Sequence, residues 1–375
     1  MSVTGFVDDV SAGFIAGWST ASRVVLSVNG RDRATLTCDD VRPDVCSAGL
    51  SPDGRVGFAV RLDLLPGDIV RVRTREGLAL GHSPWLYLET GQIALPSSLV
   101  REHPEYAELA SLLEIMPFEE FRPVFGQNGQ SVTGALLYRT GQPTLMVRLG
   151  VGRAEHEDLK HLHDLILGPC DIAAPALLDC LAVNERWIHV HAFQEGKTLS
   201  RLGPDWGLWA PAILEQLQLL QQAGERQRGR LGRRRGRRKS GCGRLLRDAL
   251  LVALRRRAGA SELAFLVKLM GIVGRLPRVL SHGDLHWENV LVDPENGELA
   301  LIDWDRWGYL PVGFDAALLL RAGRDFQALR CLDEQVMPYR LGVLVFSYLL
   351  RYCDLPDFHG SGDGRVLRQW IRDAQ

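Results

Sequence analysis

Over residues 1–90 apolar and polar positions alternate with a period of two in short runs, the pattern of half-buried strands. In RVVLSVNGRDRATLTC the alternation continues on both sides of Asn29-Gly30, a dipeptide suited to a two-residue hairpin turn, and GFAVRLDLLPGDIVRVRT repeats it around Pro66-Gly67. A small all-β sandwich is expected there. After residue 90 the period changes. EYAELASLLEIM, in a connector over residues 91–119, reads as a helix, SVTGALLYRTGQPTLMVRLG as strands, AEHEDLKHLHDLIL as a helix and RWIHVHAF as a strand again. Beyond Gly196 the pattern is mainly helical, and APAILEQLQLLQQA places Ile213, Leu214, Leu217 and Leu220 on one stripe. The expected fold class is α+β, divided into residues 1–90, 91–119, 120–195 and 196–375. The longest apolar run, LGVLVFSYLL from Leu341, lies between Arg340 and Arg351 and is too short to cross a bilayer, so it is expected as a buried helix.

Composition narrows the class without naming a chemistry. A chain of 375 residues with 46% hydrophobic and 24% charged content has enough apolar surface for two or three cored domains. A net charge of −1 does not itself call for a polyanionic partner. The seven cysteines are scattered and show no metal-ligand spacing, so they are expected to be reduced and structural. The N-terminus has no basic region followed by an apolar one, so no secretory signal is visible and a cytoplasmic location is expected. One segment departs from this. Over residues 226–239, RQRGRLGRRRGRRK, nine of fourteen residues are basic and glycines interrupt any helix. It reads as a solvated insert, or else as a landing strip for an anionic glycan or a membrane surface. With no aromatic residue interleaved, nucleic acid is not the expected partner.

The candidate chemistry lies in VLSHGDLHWENVLVD, residues 279–293, and in LALIDWDRWGYLPVGFD shortly after it. Phosphoryl transfer needs a carboxylate to take the proton of the acceptor hydroxyl. It also needs an amide oxygen a few residues on and a second carboxylate, to hold Mg2+ against the phosphates. His282, Asp284 and Asn289 have the spacing of that pattern, a hairpin through Asn296-Gly297 comes next, and Asp303 arrives at its end.

These residues resemble the signature HGDLHxxNxLxD, IDWx, GxPxxDLA of the aminoglycoside phosphotransferase and choline kinase branch of the protein-kinase-like fold. The likeness extends over roughly residues 120–350. It implies a two-lobed kinase-like fold after the β-sandwich, and an ATP- and Mg2+-dependent transfer of the γ-phosphate to a hydroxyl of a small molecule or saccharide. By the same resemblance Asp284 is the catalytic base and Asn289 and Asp303 are the metal ligands. His286 orients the catalytic loop and Asp315 braces it. HAFQEGKTL resembles the family's hinge, where the backbone around His191 to Phe193 would meet an adenine.

Other positions match the family pattern less closely. Gly126, Gly129 and Gly134 could form a loop over the phosphates, or a plain hairpin. The strand TLMVRLG carries Arg148 where the family has a phosphate-gripping lysine. A guanidinium can hold phosphates, though with a planar fork in place of a point charge, or Arg148 can simply cover the sheet surface. Its helical partner would be Glu155 or Glu157, and spacing favours Glu157. The leading β-region is similar to a small module appended to bacterial glycosyltransferases and other surface-polysaccharide proteins, through Gly5, Asp8, Gly17, Trp18, Arg42, Pro43, Asp44, Gly57 and Phe58. Trp18 is a sugar platform or, more commonly in a sandwich, part of the core. The β-region is expected to serve targeting and to be removable without loss of chemistry. The alternative to an enzyme is a catalytically inactive nucleotide-binding adaptor in surface-polysaccharide metabolism. No residue pattern names the acceptor.

Overall fold

The computed structural model describes residues 5–11, 14–47, 49–81, 83–87, 93–101, 106–125, 132–183, 185–231, 241–322, 340–355 and 357–375. The chain forms two compact units, Met1–Gly152 with Leu178–Phe193, and Arg153–Leu177 with Gln194–Gln375.

The first unit is built on strands. β1 (Gly5–Ser11), β2 (Phe14–Ser19), β5 (Asp40–Val41) and β6 (Arg55–Arg61) form one antiparallel sheet in the order β1-β2-β6-β5. β3 (Arg23–Val28) and β4 (Arg31–Thr37) start a second sheet, joined by the Asn29-Gly30 turn, whose residues have φ of 50° and 75° as a tight hairpin of this type needs. That second sheet does not end with the N-terminal module. It continues through β7 (Ile69–Thr74), β8 (Trp85–Tyr87), β9 (Ile93–Pro96), β10 (Glu120–Phe125), β11 (Val132–Arg139), β12 (Gln142–Val151), β13 (Leu177–Val183) and β14 (Arg186–Ala192), in the order β13-β14-β12-β11-β10-β9-β8-β7-β3-β4.

A single core underlies the whole sheet. Val7, Ile15 and Phe58 from the small sheet, Val24, Leu26, Val70 and Val72 from the near end of the long one, Leu109 and Leu112 from the helix Ala107–Ile115, and Phe121, Ala135, Val147, Ile188 and Val190 from the far end belong to one buried cluster. The sandwich and the helical connector are thus parts of one packed body, and position 90 falls between two neighbouring strands of it. The expected hairpin around Pro66-Gly67 does not form. β6 pairs with β2 and β5, while β7 pairs with β3 and β8, so the chain crosses from one sheet to the other, with Leu62 and Leu64 packed against the core on the way. A Pro-Gly pair marks a turn and says nothing about which strand each arm will meet. Trp18 is buried in a small cluster with Val45 and Val56, which makes it a core residue.

The second unit is mainly helical around two short sheets. β15 (Lys197–Thr198), β17 (Val290–Asp293) and β18 (Glu298–Leu301) form one, and β16 (Arg278–Ser281) with β19 (Gly308–Pro311) the other. The expected stripe Ile213, Leu214, Leu217 and Leu220 faces the core from the helix Ala210–Arg226. The run from Leu341 forms the helix Arg340–Asp354, buried from Gly342 to Leu350. Among the described residues no helix is long and apolar enough to cross a membrane. Six cysteines are described, and no disulfide forms among them. Of the basic insert, residues 232–240 lie outside the described residues, and so does the segment 323–339.

Candidate active site

The two short sheets of the second unit aim one loop. β16 ends at Ser281 in register with Gly308, and β17 begins at Val290 in register with Leu301, so residues 282–289 are held at both ends by buried strand pairs. The β17–β18 hairpin turns over Asn296-Gly297 as expected, with the Asp293 carboxylate accepting from Glu295 N–H and from Asn296 Nδ2. Ile302 N–H donates to Asn289 carbonyl at 3.0 Å, which extends the register one step and brings Asp303 next to the end of the loop.

Inside the loop several backbone groups have partners, among them the His286 N–H on the Asp284 carbonyl and the Asn289 N–H on the His286 carbonyl. Gly283 has φ of +84°, and a Cβ there would lie 2.1 Å from the Arg306 carbonyl oxygen, so only glycine fits between the loop and the turn after Asp303. Asp315, near the start of the helix Phe314–Ala322, is 5% exposed. Its Oδ2 accepts His282 N–H at 2.7 Å and its Oδ1 accepts Gly283 N–H at 2.9 Å. Burial pushes this carboxyl up to about 6 against the opposing pull of the two N–H donors. It is therefore ionised at neutral pH, as the two donors require.

His282 is fully buried, and burial pushes its imidazole down to about 4, so the ring is neutral. Its Nε2 lies 2.8 Å from the Ile302 carbonyl oxygen, which can only accept, so Nε2 carries the proton. Nδ1 is then the acceptor, and Asp284 N–H lies 3.4 Å from it. The ring also packs on Trp304 at 4.5 Å between centroids. His282 thus ties the strand before Asp303 to the backbone of Asp284.

Asp284 and Asn289 belong to this loop, and Asp303 follows the strand whose next residue, Ile302, is bonded to the loop's end. Asn289 is buried and its Nδ2 donates to the Asp284 carbonyl at 2.9 Å, and among the described residues its amide oxygen accepts no hydrogen bond. Asp303 is exposed in the left-handed region, φ 62°, a costly conformation for a non-glycine residue, and its carboxylate makes no hydrogen bond or ion pair among the described residues. An amide oxygen and a carboxylate are hard oxygen donors of the kind Mg2+ takes, so these two residues fit that ion. His286 is exposed on the same loop. Arg306 was not anticipated from the sequence: its Nη1 lies 3.1 Å from Asp284 Oδ1. The signal that could have revealed it is its position between Trp304 and Trp307, two large apolar residues that pin a turn.

The other candidate residues lie outside this loop. Arg148, in register with Gly134 and His189, points to the face of the long sheet opposite the buried cluster, because its neighbours Val147 and Leu149 point into that cluster. His191 is in register with Met146 on that same face, and Phe193 N–H is already taken by the Thr144 carbonyl. Gly126 and Gly129 lie outside the described residues. Glu157 sits in the second unit on the helix Arg153–Leu162 and pairs with Arg153 at 3.0 Å.

Residues 147–337 match the sequence model of the phosphotransferase enzyme family. Solved structures with similar chains include an aminoglycoside phosphotransferase from Streptomyces rimosus in complex with ADP and streptomycin, 20% identical, covering 67% of this chain and 97% of that one, TM-score 0.43. The GDP complex of aminoglycoside 2'-phosphotransferase-IIIa is 14% identical over 72% of this chain and 96% of that one, TM-score 0.49. A choline/ethanolamine kinase family protein from Mesorhizobium loti is 16% identical over 73% and 92%, TM-score 0.46. No curated protein matches the chain.

Proposed function

Because the chain belongs to the phosphotransferase enzyme family, we propose that it transfers the γ-phosphate of ATP, with Mg2+, to a hydroxyl of a small molecule or a saccharide. The observation that carries this reading is the loop itself, in which Asp284, Asn289 and Asp303 share one backbone framework tied by His282 and braced by Asp315.

In this reading the acceptor oxygen attacks the γ-phosphorus, the bond to the bridging oxygen breaks with its electron pair leaving on ADP, and the hydroxyl proton passes to Asp284. Asn289 Oδ1 and the Asp303 carboxylate would hold Mg2+, which neutralises phosphate charge when bound. Neutral His282 does not take part in proton transfer; it fixes where the base stands.

The test is ATP turnover against a panel of sugars, amino alcohols and nucleosides. Asp284→Asn and Asp303→Asn should each cut turnover to a small residual rate without lowering Tm, Asp284→Asn keeping nucleotide affinity and Asp303→Asn weakening it. A wild-type chain that binds ATP but turns over with no acceptor, with both substitutions altering affinity alone, would establish the adaptor in place of the enzyme.

A further inference from the structure

The carboxylate proposed as base does not stand alone. Arg306 Nη1 reaches Asp284 Oδ1 at 3.1 Å, with the Asp284 side chain 21% and the Arg306 side chain 46% exposed. Among the described residues Asp284 Oδ2 has no hydrogen-bond partner. The contact is end-on through one nitrogen, so it restrains one oxygen and leaves the other open. Its origin is rigid on both sides. Trp304 and Trp307, flanking the turn, are buried, Trp304 Nε1 donates to the Leu301 carbonyl at 2.8 Å, and the Arg306 carbonyl is in backbone contact with Gly283, the residue before Asp284.

A carboxylate on a loop can rotate about χ2, and a base must present a lone pair to the acceptor hydroxyl within hydrogen-bond reach. Nothing else among the described side chains holds the Asp284 carboxylate; His282 and Asn289 hold only its backbone. We propose that Arg306 is a positioning residue that anchors Asp284 Oδ1, so that Oδ2 is presented to take the acceptor's proton. The inference rests on the phosphotransferase reading above and extends it by assigning a residue to the orientation of its base.

The experiment compares wild type, Arg306→Met, Arg306→Lys, Asp284→Asn and the double variant Asp284→Asn with Arg306→Met. Phosphate release from ATP is measured with water as acceptor, and turnover with any alcohol of the panel that stimulates it. Arg306→Met keeps the apolar stem and removes the charge, so kcat should fall on the order of ten- to a hundredfold with the KM for ATP unchanged. Arg306→Lys, which can make the same end-on contact, should recover part of the loss. In the Asp284→Asn background Arg306→Met should cost nothing further, since an anchor has no effect once the base is gone. Should Arg306→Met melt early, Arg306→Gln is read in the same way. The inference is overturned by kcat within about twofold of wild type in Arg306→Met, by no rescue with lysine, or by a full additional loss in the double variant, which would mean that Arg306 acts on the phosphate by itself. An inactive wild type would instead sink the phosphotransferase reading and this inference with it.

Discussion

Replacing Asp315 with asparagine separates loop geometry from global stability. The carboxylate accepts two backbone N–H groups, one on each oxygen, in a site 5% exposed. An amide of the same shape keeps one acceptor and turns an NH2 toward the other N–H. The loss is one charge-assisted hydrogen bond plus one buried donor without a partner, roughly 3–5 kcal/mol in all. Against this, the neutral amide escapes the cost of burying a charge. The raised carboxyl shows that the cost of burying the charge outweighs what the two donors return, so the desolvation removed with the charge is at least comparable to the bonds lost. The two nearly offset, so at pH about 7.5 Tm should change little while kcat falls about a hundredfold, because His282 and Gly283 lose their brace.

The pH dependence has a definite sign. A folded-state value raised above the unfolded one means that the stability from this group is fully present below about 3.8 and lost as pH rises through about 6. Activity runs the other way over that window, since only the ionised form offers both acceptors. Melting curves of wild type and Asp315→Asn at pH about 5 and 7.5 should therefore show wild type gaining relative to the variant at the lower pH. Titration of His282 is common to both proteins and cancels in the difference. A variant with kcat within about twofold of wild type, or one destabilised equally at both pH values, would refute the reasoning.

Two further outcomes are expected from other parts of the molecule. His282, pushed down to about 4 by burial, contributes stability that is present above its ordinary 6.5 and lost as pH falls through about 4, so His282→Asn should flatten the acid side of the stability profile as well as lower kcat; an acid-unfolding curve unchanged in midpoint and steepness would contradict the buried neutral ring. Deleting residues 1–90 removes Val24, Leu26, Val70, Val72 and Trp85 from the core that Leu109, Phe121 and Val147 share, and strips β9 of its neighbour, so the truncated chain should be insoluble or lack a cooperative melt; a truncated chain that melts sharply and turns over ATP would show that the remaining core suffices.

What could be read from the residues in order was local. Alternation of apolar positions marked the strands, the 3.6 period marked the helix Ala210–Arg226, and Asn29-Gly30 and Asn296-Gly297 marked two turns, in which Asn29, Gly30 and Gly297 take the positive φ that such residues adopt readily. The cluster His282, Asp284, Asn289, Asp303 and Asp315 was likewise visible, because most of its members sit a few residues apart around one hairpin and chemistry restricts their types. Partners distant in the chain were not visible. β6 and β7 flank a well-marked turn yet join different sheets, since each strand pairs where its buried face fits the core. The N-terminal region reads as a separate module but shares one sheet and one core with strands β9 to β14, because an unpaired strand edge and an open apolar face are costly and β9 closes both against β10. The anchoring of Asp284 by Arg306, the neutral state of His282 and the raised carboxyl of Asp315 were decided only by the tertiary structure, since charge pairing and desolvation depend on distance and burial, and neither is a property of residue order.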